Sequence, residues 1–305
     1  MSADAAFAAL AGRTTGALRQ DEEMVRHTSY RIGGPADLFA ECDTMSDLTT
    51  VLAALAEHAV EWTVIGRGTN LLVSDEGYRG AVVVLGREFG RRARAGSLLE
   101  AGAGCSLGGI VQWASAEGVA GFEFAAGVPG TLGGALVMNA GTRDEWIGSV
   151  VESVTVLVPG QGLRRLHGNE VAWGYRSTDL ASHGVVVEAE LRAVPGDRDA
   201  IRARMEESLA RRKASQPLGK PNAGSVFRNP EGDSAGRLIE SAGLKGVRIG
   251  GARISQVHAN FIVNEGGASA RDVLELMHLA RDRVREDSGI ELRPEVRFLG
   301  SFSRA

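Results

Sequence analysis

Gly127-Val128-Pro129-Gly130-Thr131-Leu132-Gly133-Gly134-Ala135-Leu136-Val137-Met138-Asn139-Ala140-Gly141 is the stretch on which the reading of this chain turns. It is too rich in glycine for a stable helix and too apolar for an exposed loop. A buried ligand explains both features. Small side chains let the main chain approach closely, Thr131 and Asn139 offer specific hydrogen bonds, and the backbone amides can face an anion. Two further glycine-bearing segments lie upstream, at residues 66–70 and 102–108. One such loop alone reads as turn geometry, because glycine is the default wherever φ is positive. Three within about eighty residues shift the balance toward loops that bring backbone amides close to a phosphate.

Gly102, Gly104 and Gly108 imitate a dinucleotide fingerprint, but the third glycine comes one residue late for G-x-G-x-x-G. No clean second strand ending in an acidic residue follows, so this segment is read as structural. No G-x-x-x-x-G-K-[ST] occurs, which removes Walker-type phosphate binding.

Outward from these loops, apolar spacing predicts a helix over 46–59, capped by Ser46, then a strand at 62–65, the loop 66–70 and a strand at 71–73. Strands follow at 81–85 and 97–100, and a helix over 107–114. From residue 150 the pattern changes to β-branched runs, at 150–158, 163–166 and 185–194, the signature of an antiparallel meander. Helices are expected over 197–214, from 234, and over 269–287, with strands at 259–263 and 296–299. Pro217 and Pro221 mark a boundary.

The chain has 305 residues, 44% apolar and 24% charged, with a net charge of -4, so it is globular and carries no electrostatic footprint for nucleic acid. No apolar run is long enough to span a bilayer, and residues 1–10 do not read as a secretory signal, so a cytoplasmic location is expected. Cys42 and Cys105 have no C-x-x-C partner and read as ordinary buried thiols. The six histidines lack metal-ligand spacing, and no metal is expected.

In the second half, Arg176 in Gly174-Tyr175-Arg176-Ser177 is either a surface cation or a carboxylate clamp, and alone the surface reading is favoured. Ser225, in Asn222-Ala223-Gly224-Ser225-Val226-Phe227-Arg228-Asn229-Pro230, lies outside any G-x-S-x-G elbow and by itself reads as a turn serine. Glu295 in Pro294-Glu295-Val296 would ordinarily face solvent.

Taken in order, His27-Thr28-Ser29-Tyr30-Arg31-Ile32-Gly33-Gly34-Pro35-Ala36, the 66–72 loop, the 127–141 loop, 174–177, 224–230 and 294–298 closely resemble the UDP-N-acetylenolpyruvoylglucosamine reductases. The resemblance runs from about residue 24 to residue 300. It implies an α+β fold: an FAD-binding region of the vanillyl-alcohol-oxidase type, made of two α+β subdomains (1–80 and 81–214), and a smaller C-terminal α+β substrate-binding domain (215–305). It also implies noncovalent FAD, NADPH as reductant, and reduction of the enolpyruvyl ether of UDP-N-acetylglucosamine-enolpyruvate. Gly66, Arg67, Gly68, Thr69 and Asn70, with Gly127, Gly130, Thr131, Gly133, Gly134, Asn139 and Gly141, match the cofactor-binding positions. Arg176, Ser225 and Glu295 match the catalytic ones, and Tyr175, Arg228, Asn229 and Lys245 resemble substrate contacts.

In that mechanism Arg176 supplies permanent charge, a protonated Glu295 donates to the developing enolate, and Ser225 protonates carbon. Lys213, Lys220 and Arg228 are nearby in sequence to replace the serine's proton. Two departures stand out. Thr142-Arg143-Asp144-Glu145-Trp146 differs from the family's small and aromatic residues, and the interval from Arg176 to Ser225 is short, as in the subclass without an extra substrate-covering loop. Two other readings are a related FAD-linked oxidase, which leaves 224–230 and Pro294-Glu295 unexplained, and a noncatalytic nucleotide-binding module.

Overall fold

The computed structural model describes residues 2–142 and 144–302, so Arg143 of the divergent stretch lies outside the described residues. The fold is α+β. Two compact units interleave along the chain: one comprises Met1–Gln20, Leu38–Gly66 and Gly80–Arg211, the other Asp21–Asp37, Arg67–Arg79 and Arg212–Ala305.

The first unit holds the greater part of a four-stranded sheet of order Leu18–Glu23, Pro35–Cys42, Tyr78–Leu85, Trp62–Ile65, and the helix Met45–Glu57. Leu48, Val51, Leu52 and Leu55 form the buried stripe of that helix. It starts one residue earlier than its apolar periodicity suggests, because Thr44 and not Ser46 is the cap. Thr44 and Asp47 form a reciprocal capping box, and Ser46 falls inside the first turn. At the other end Ala59 turns left-handed, with φ 51°, and the helix stops before it.

The same unit contains a five-stranded antiparallel sheet of order Gly162–His167, Val151–Val158, Val185–Arg192, Leu98–Gly102, Arg92–Ala95. The antiparallel pairing is as expected, but the order is not that of a meander, because Val185–Arg192 returns beside Val151–Val158 and not beside Gly162–His167. The run read as a single strand over 185–194 breaks at Ala193, whose amide donates to Ser97, and Val194–Pro195 pairs separately with Val119–Ala120.

The glycine-rich stretch differs from expectation. Leu132–Val137 is a short helix, with the Thr131 hydroxyl accepting from the Gly134 amide. Two glycines cost a helix about 2 kcal/mol against alanine. Burial of Leu132 and Leu136 offsets that, at roughly 1.5–3 kcal/mol for each side chain. Gly133 lets the helix close on Ala103, to whose carbonyl its amide donates at 2.8 Å. Gly102 and Gly104 serve packing as read: a β-carbon on Gly102 would lie 2.2 Å from the Phe89 carbonyl oxygen.

In the second unit the sheet Arg248–Ile249, Ala252–Ile254, Ile262–Asn264 packs against the helix Ala270–Ser288, whose buried face is Val273, Leu276, Met277, Ala280 and Val284. Ser269 and Asp272 cap this helix, and the Asp75 carboxylate accepts from the amides of Ala270 (2.7 Å) and Arg271 (3.1 Å). Leu71–Val73 pairs in parallel with Arg297–Leu299. The strand read over 259–263 is confined to Ile262–Asn264, because Asn260 directs both its main chain and its side chain to other partners. Among the described residues no helix is long and apolar enough to cross a membrane.

Asp47 is the polar keystone of the first unit. Its buried carboxylate accepts from the Thr15 amide (3.1 Å) and hydroxyl (2.6 Å) and from the amides of Asp43 (3.1 Å) and Thr44 (3.2 Å). Burial alone would raise its pKa, but the bonds from Thr15 and Thr44 hold it below the usual aspartate value. Asp47→Ala should lower the unfolding free energy by about 3 kcal/mol at pH 7, through the donors left without an acceptor. A carboxyl with a depressed folded pKa stabilises above its unfolded value, so the gap between parent and variant should narrow as pH falls below about 4. Urea titrations of both proteins at neutral and acid pH measure it.

Candidate active site

Two loops present main-chain amides that the fold itself does not use. In the second unit, among the described residues, the amides of Arg67, Gly68, Thr69 and Asn70 donate to no protein acceptor. The carbonyls of Gly68 and Asn70 and the Asn70 side chain, by contrast, are engaged. The Ser29 amide donates to the Gly68 carbonyl at 3.1 Å, and the Ser29 hydroxyl lies 2.6 Å from the Asn222 carbonyl and 3.2 Å from that of Gly68. Gly68 has φ 60°, and a β-carbon there would sit 2.1 Å from the His27 carbonyl oxygen. Thus the segment 27–29 holds the loop from beneath and leaves four successive N–H groups for a ligand. Such a row suits the diphosphate of a dinucleotide.

In the first unit the amides of Gly127, Gly130 and Thr131 are likewise unused by described acceptors. Gly66 packs against Thr131 so closely that a β-carbon would lie 2.4 Å from its Oγ1. The amides of Gly133 and Gly134, read from sequence as cofactor contacts, donate instead to the Ala103 carbonyl and the Thr131 hydroxyl. Gly141 shapes the turn that follows, since a β-carbon would meet the Glu145 carbonyl oxygen at 2.2 Å. Asn139 is buried, and both atoms of its amide bond to main chain, Nδ2 to the Gly174 carbonyl at 2.9 Å and Oδ1 to the Gly148 amide at 3.2 Å.

Arg176 sits in the first unit at the tip of a two-residue turn, closed by the Gly174 amide donating to the Ser177 carbonyl at 2.9 Å. Its guanidinium lies 5.2 Å from the ring centroid of the half-exposed Tyr175.

The second unit brings Ser225 and Glu295 onto adjacent extended segments: the Glu295 amide donates to the Val226 carbonyl at 2.9 Å. Both residues are half-buried. Asn222 Oδ1 accepts from Gly224 at 2.8 Å, which sets the left-handed Gly224 (φ 75°) just before the serine. Asn260 clamps the other side, Oδ1 accepting from the Phe227 amide at 3.0 Å and Nδ2 donating to its carbonyl at 2.8 Å. Asn70 Nδ2 donates to the Glu295 carbonyl at 3.1 Å, so the amide-bearing loop also supports the carboxylate's backbone.

Arg228 belongs to the same segment, and its Nε is buried without a partner among the described residues. Asn229 caps the helix Ala235–Ser241 by accepting from the Ala235 amide at 3.1 Å. Lys245 pairs with Glu240 at 2.7 Å, and Lys220 with Glu265 at 2.5 Å. Sequence reasoning missed Ser29, Asn222 and Asn260, the framework of this site. Ser29 lies in a motif and Asn222 beside one, whereas Asn260 is near none, and the role of each depends on a main-chain partner that sequence spacing does not reveal.

The chain matches two protein families: "FAD binding domain" over residues 36–164, and "UDP-N-acetylenolpyruvoylglucosamine reductase, C-terminal domain" over residues 216–299. A UDP-N-acetylenolpyruvoylglucosamine reductase of Heliobacterium modesticaldum is 48% identical over 92% of this chain and 90% of its own. A second, from Symbiobacterium thermophilum, is 47% identical over 94% of each. The crystal structure of UDP-N-acetylenolpyruvylglucosamine reductase from Thermus caldophilus superposes with a TM-score of 0.80 at 35% identity, covering 93% of this chain and 98% of the other.

Both thiols are buried and held protonated, Cys42 by burial and then by Asp47, Asp43 and Glu41, which push it up to about 12, and Cys105 chiefly by burial. Neither is a nucleophile suited to flavin attachment. The purified protein should therefore be yellow, and acid or heat should release all its flavin as intact FAD into the supernatant, as chromatography of the two fractions will show. Flavin that stays with the precipitated protein would refute noncovalent binding.

Proposed function

The chain belongs to the UDP-N-acetylenolpyruvoylglucosamine reductases, and from that premise we propose how its own residues divide the work. It is an FAD-dependent oxidoreductase of peptidoglycan-precursor synthesis, with an FAD-binding domain followed by the family's C-terminal domain. Our reading assigns NADPH as the electron source, a cytoplasmic location, and a functional division at residues 1–80, 81–214 and 215–305. The last of these would bind the UDP-sugar.

The reaction adds hydride to the methylene carbon of the enolpyruvyl ether and a proton to the neighbouring carbon, converting the double bond to a lactyl ether. When bound and reduced by NADPH, FAD would supply that hydride. Negative charge then develops from that neighbouring carbon into the carboxylate, and fixed positive charge aimed there lowers the barrier most. Arg176 is assigned this role. Glu295, as the protonated acid, donates to the same charge, and Ser225 delivers the proton to carbon. A serine is a weak acid, so its proton must be replaced, and Arg228 and Lys220 are the cations nearest to it in sequence.

The observation that carries this reading is the backbone bond between Glu295 and Val226, which sets the proposed proton donor and the carboxyl group on neighbouring segments. For the cofactor, residues 67–70 with Gly127, Gly130 and Thr131 are the proposed amide donors, whereas Gly66, Gly133, Gly134 and Gly141 act by permitting or fixing the loop shape. For the substrate, the buried Nε of Arg228 is the strongest candidate for a phosphate contact. Tyr175, Asn229 and Lys245 complete the proposed set.

Flavin reduction involves no proton transfer to the substrate carbon, so Ser225→Ala should preserve the FAD spectrum and near-parental reduction by NADPH. Reoxidation by the enolpyruvyl substrate should slow by roughly 10²–10⁴-fold, the usual contribution of general acid–base catalysis. Anaerobic stopped-flow absorbance of each half-reaction distinguishes the outcomes. Equal slowing of both halves would make Ser225 a flavin-positioning residue, and parental reoxidation would place the proton donor elsewhere.

A further inference from the structure

Arg176 occupies a conformation that its own chemistry disfavours. Its φ is 56°, in the left-handed region where a β-carbon crowds the following carbonyl, and it is neither glycine nor asparagine. Surrounding contacts must therefore hold the turn. Those contacts come from the end of the glycine-rich stretch. Asn139, 5% exposed, donates to the Gly174 carbonyl at 2.9 Å on the near side of the turn. On the far side the Thr178 hydroxyl donates at 3.0 Å to the carbonyl of Val137, the last residue of the short helix.

The other end of Asn139 is tied as firmly. Its Oδ1 accepts from the Gly148 amide at 3.2 Å, and Gly148 is pressed against Trp173, whose ring atoms would lie 2.5 Å from a β-carbon there. Asn139 thus bonds the turn's first residue and a glycine packed on the residue before that turn. Its own φ of 43° is one that asparagine tolerates better than most residues do. The side chain, the strained backbone and the closing turn form one unit around Arg176.

We infer that Asn139 is a positioning residue for Arg176: it fixes the 174–177 turn, so the glycine-rich stretch aims the guanidinium in addition to approaching the cofactor. The inference rests on the role given above to Arg176. Asn139→Asp keeps size, left-handed tolerance and the acceptor for Gly148, but sets an oxygen against the Gly174 carbonyl oxygen. Asn139→Gly keeps the backbone conformation and removes both bonds.

The test is a double-mutant cycle between position 139 and Arg176→Ala, read as anaerobic reoxidation of the reduced holoenzyme by the enolpyruvyl substrate at saturation, with FAD affinity and NADPH-driven flavin reduction measured alongside. In the parent background, Asn139→Gly should slow reoxidation about 10–100-fold, the scale of a misplaced catalytic group. In the Arg176→Ala background the same change should alter it by no more than about twofold, because a residue acting only through Arg176 has nothing left to position. FAD affinity and flavin reduction should stay within about twofold of their reference values in both cases.

An equal factor in both backgrounds would overturn the inference, as would a defect that appears as lost FAD affinity and disappears at high FAD. If Asn139→Gly does not fold, Asn139→Asp decides the matter by the same cycle. If Arg176→Ala alone reoxidises at the parental rate, the role of Arg176 fails. If Arg176→Ala is slow while both position 139 variants are parental, only the present inference fails.

Discussion

An amide N–H without a protein acceptor persists in a folded chain only where water or a ligand takes the bond, and residues 67–70 present four in a row. The loop has no freedom to satisfy them internally. Its carbonyl at Gly68 is held by Ser29, and the Gly68 backbone lies against the His27 carbonyl with no space for a β-carbon. That arrangement suits a partner rich in acceptor oxygens, and the diphosphate of FAD is the partner proposed for it.

The same loop extends its influence into the chemistry. Ser29 reaches both Gly68 and Asn222, Asn222 sets the turn before Ser225, and Asn70 supports the backbone of Glu295. Asn260 completes the frame from within the C-terminal part of the chain. Side-chain amides therefore act here as backbone substitutes, bonding main-chain groups that no sheet ladder reaches. Each such bond contributes only about 1 kcal/mol to stability, but together they hold residues distant in sequence in fixed register. Placement of this kind is what a reaction governed by charge positioning requires.

Much of this was legible in the sequence because it rests on local rules. The helix Ala270–Ser288 follows from its apolar spacing and from Ser269 with Asp272, and the antiparallel strands, though not their order, from the β-branched runs. The candidate site residues stand out only as an ordered set of motifs, since Ser225 or Glu295 alone resembles an ordinary turn or surface residue. What escaped were features decided by tertiary contact. The helix Leu132–Val137 forms despite its glycines because Leu132 and Leu136 are buried. The cap at Thr44 displaces Ser46 because Asp47 lies three residues on and is fixed by Thr15. Asn139 read as a ligand contact, yet its amide atoms bond to Gly174 and Gly148, partners far enough along the chain that spacing gives no hint of them.

Residues 67–70 are proposed to recognise the diphosphate and not the isoalloxazine ring. Equilibrium titration of the apoprotein with FAD and with riboflavin, which lacks phosphate, tests it directly in the parent and in Gly68→Ala. The added β-carbon forces the loop away from His27, so FAD affinity should fall by about 10–100-fold, the equivalent of one lost charge-assisted bond, while riboflavin affinity stays at the parental value. Equal weakening of both ligands, or no weakening of either, would contradict the account.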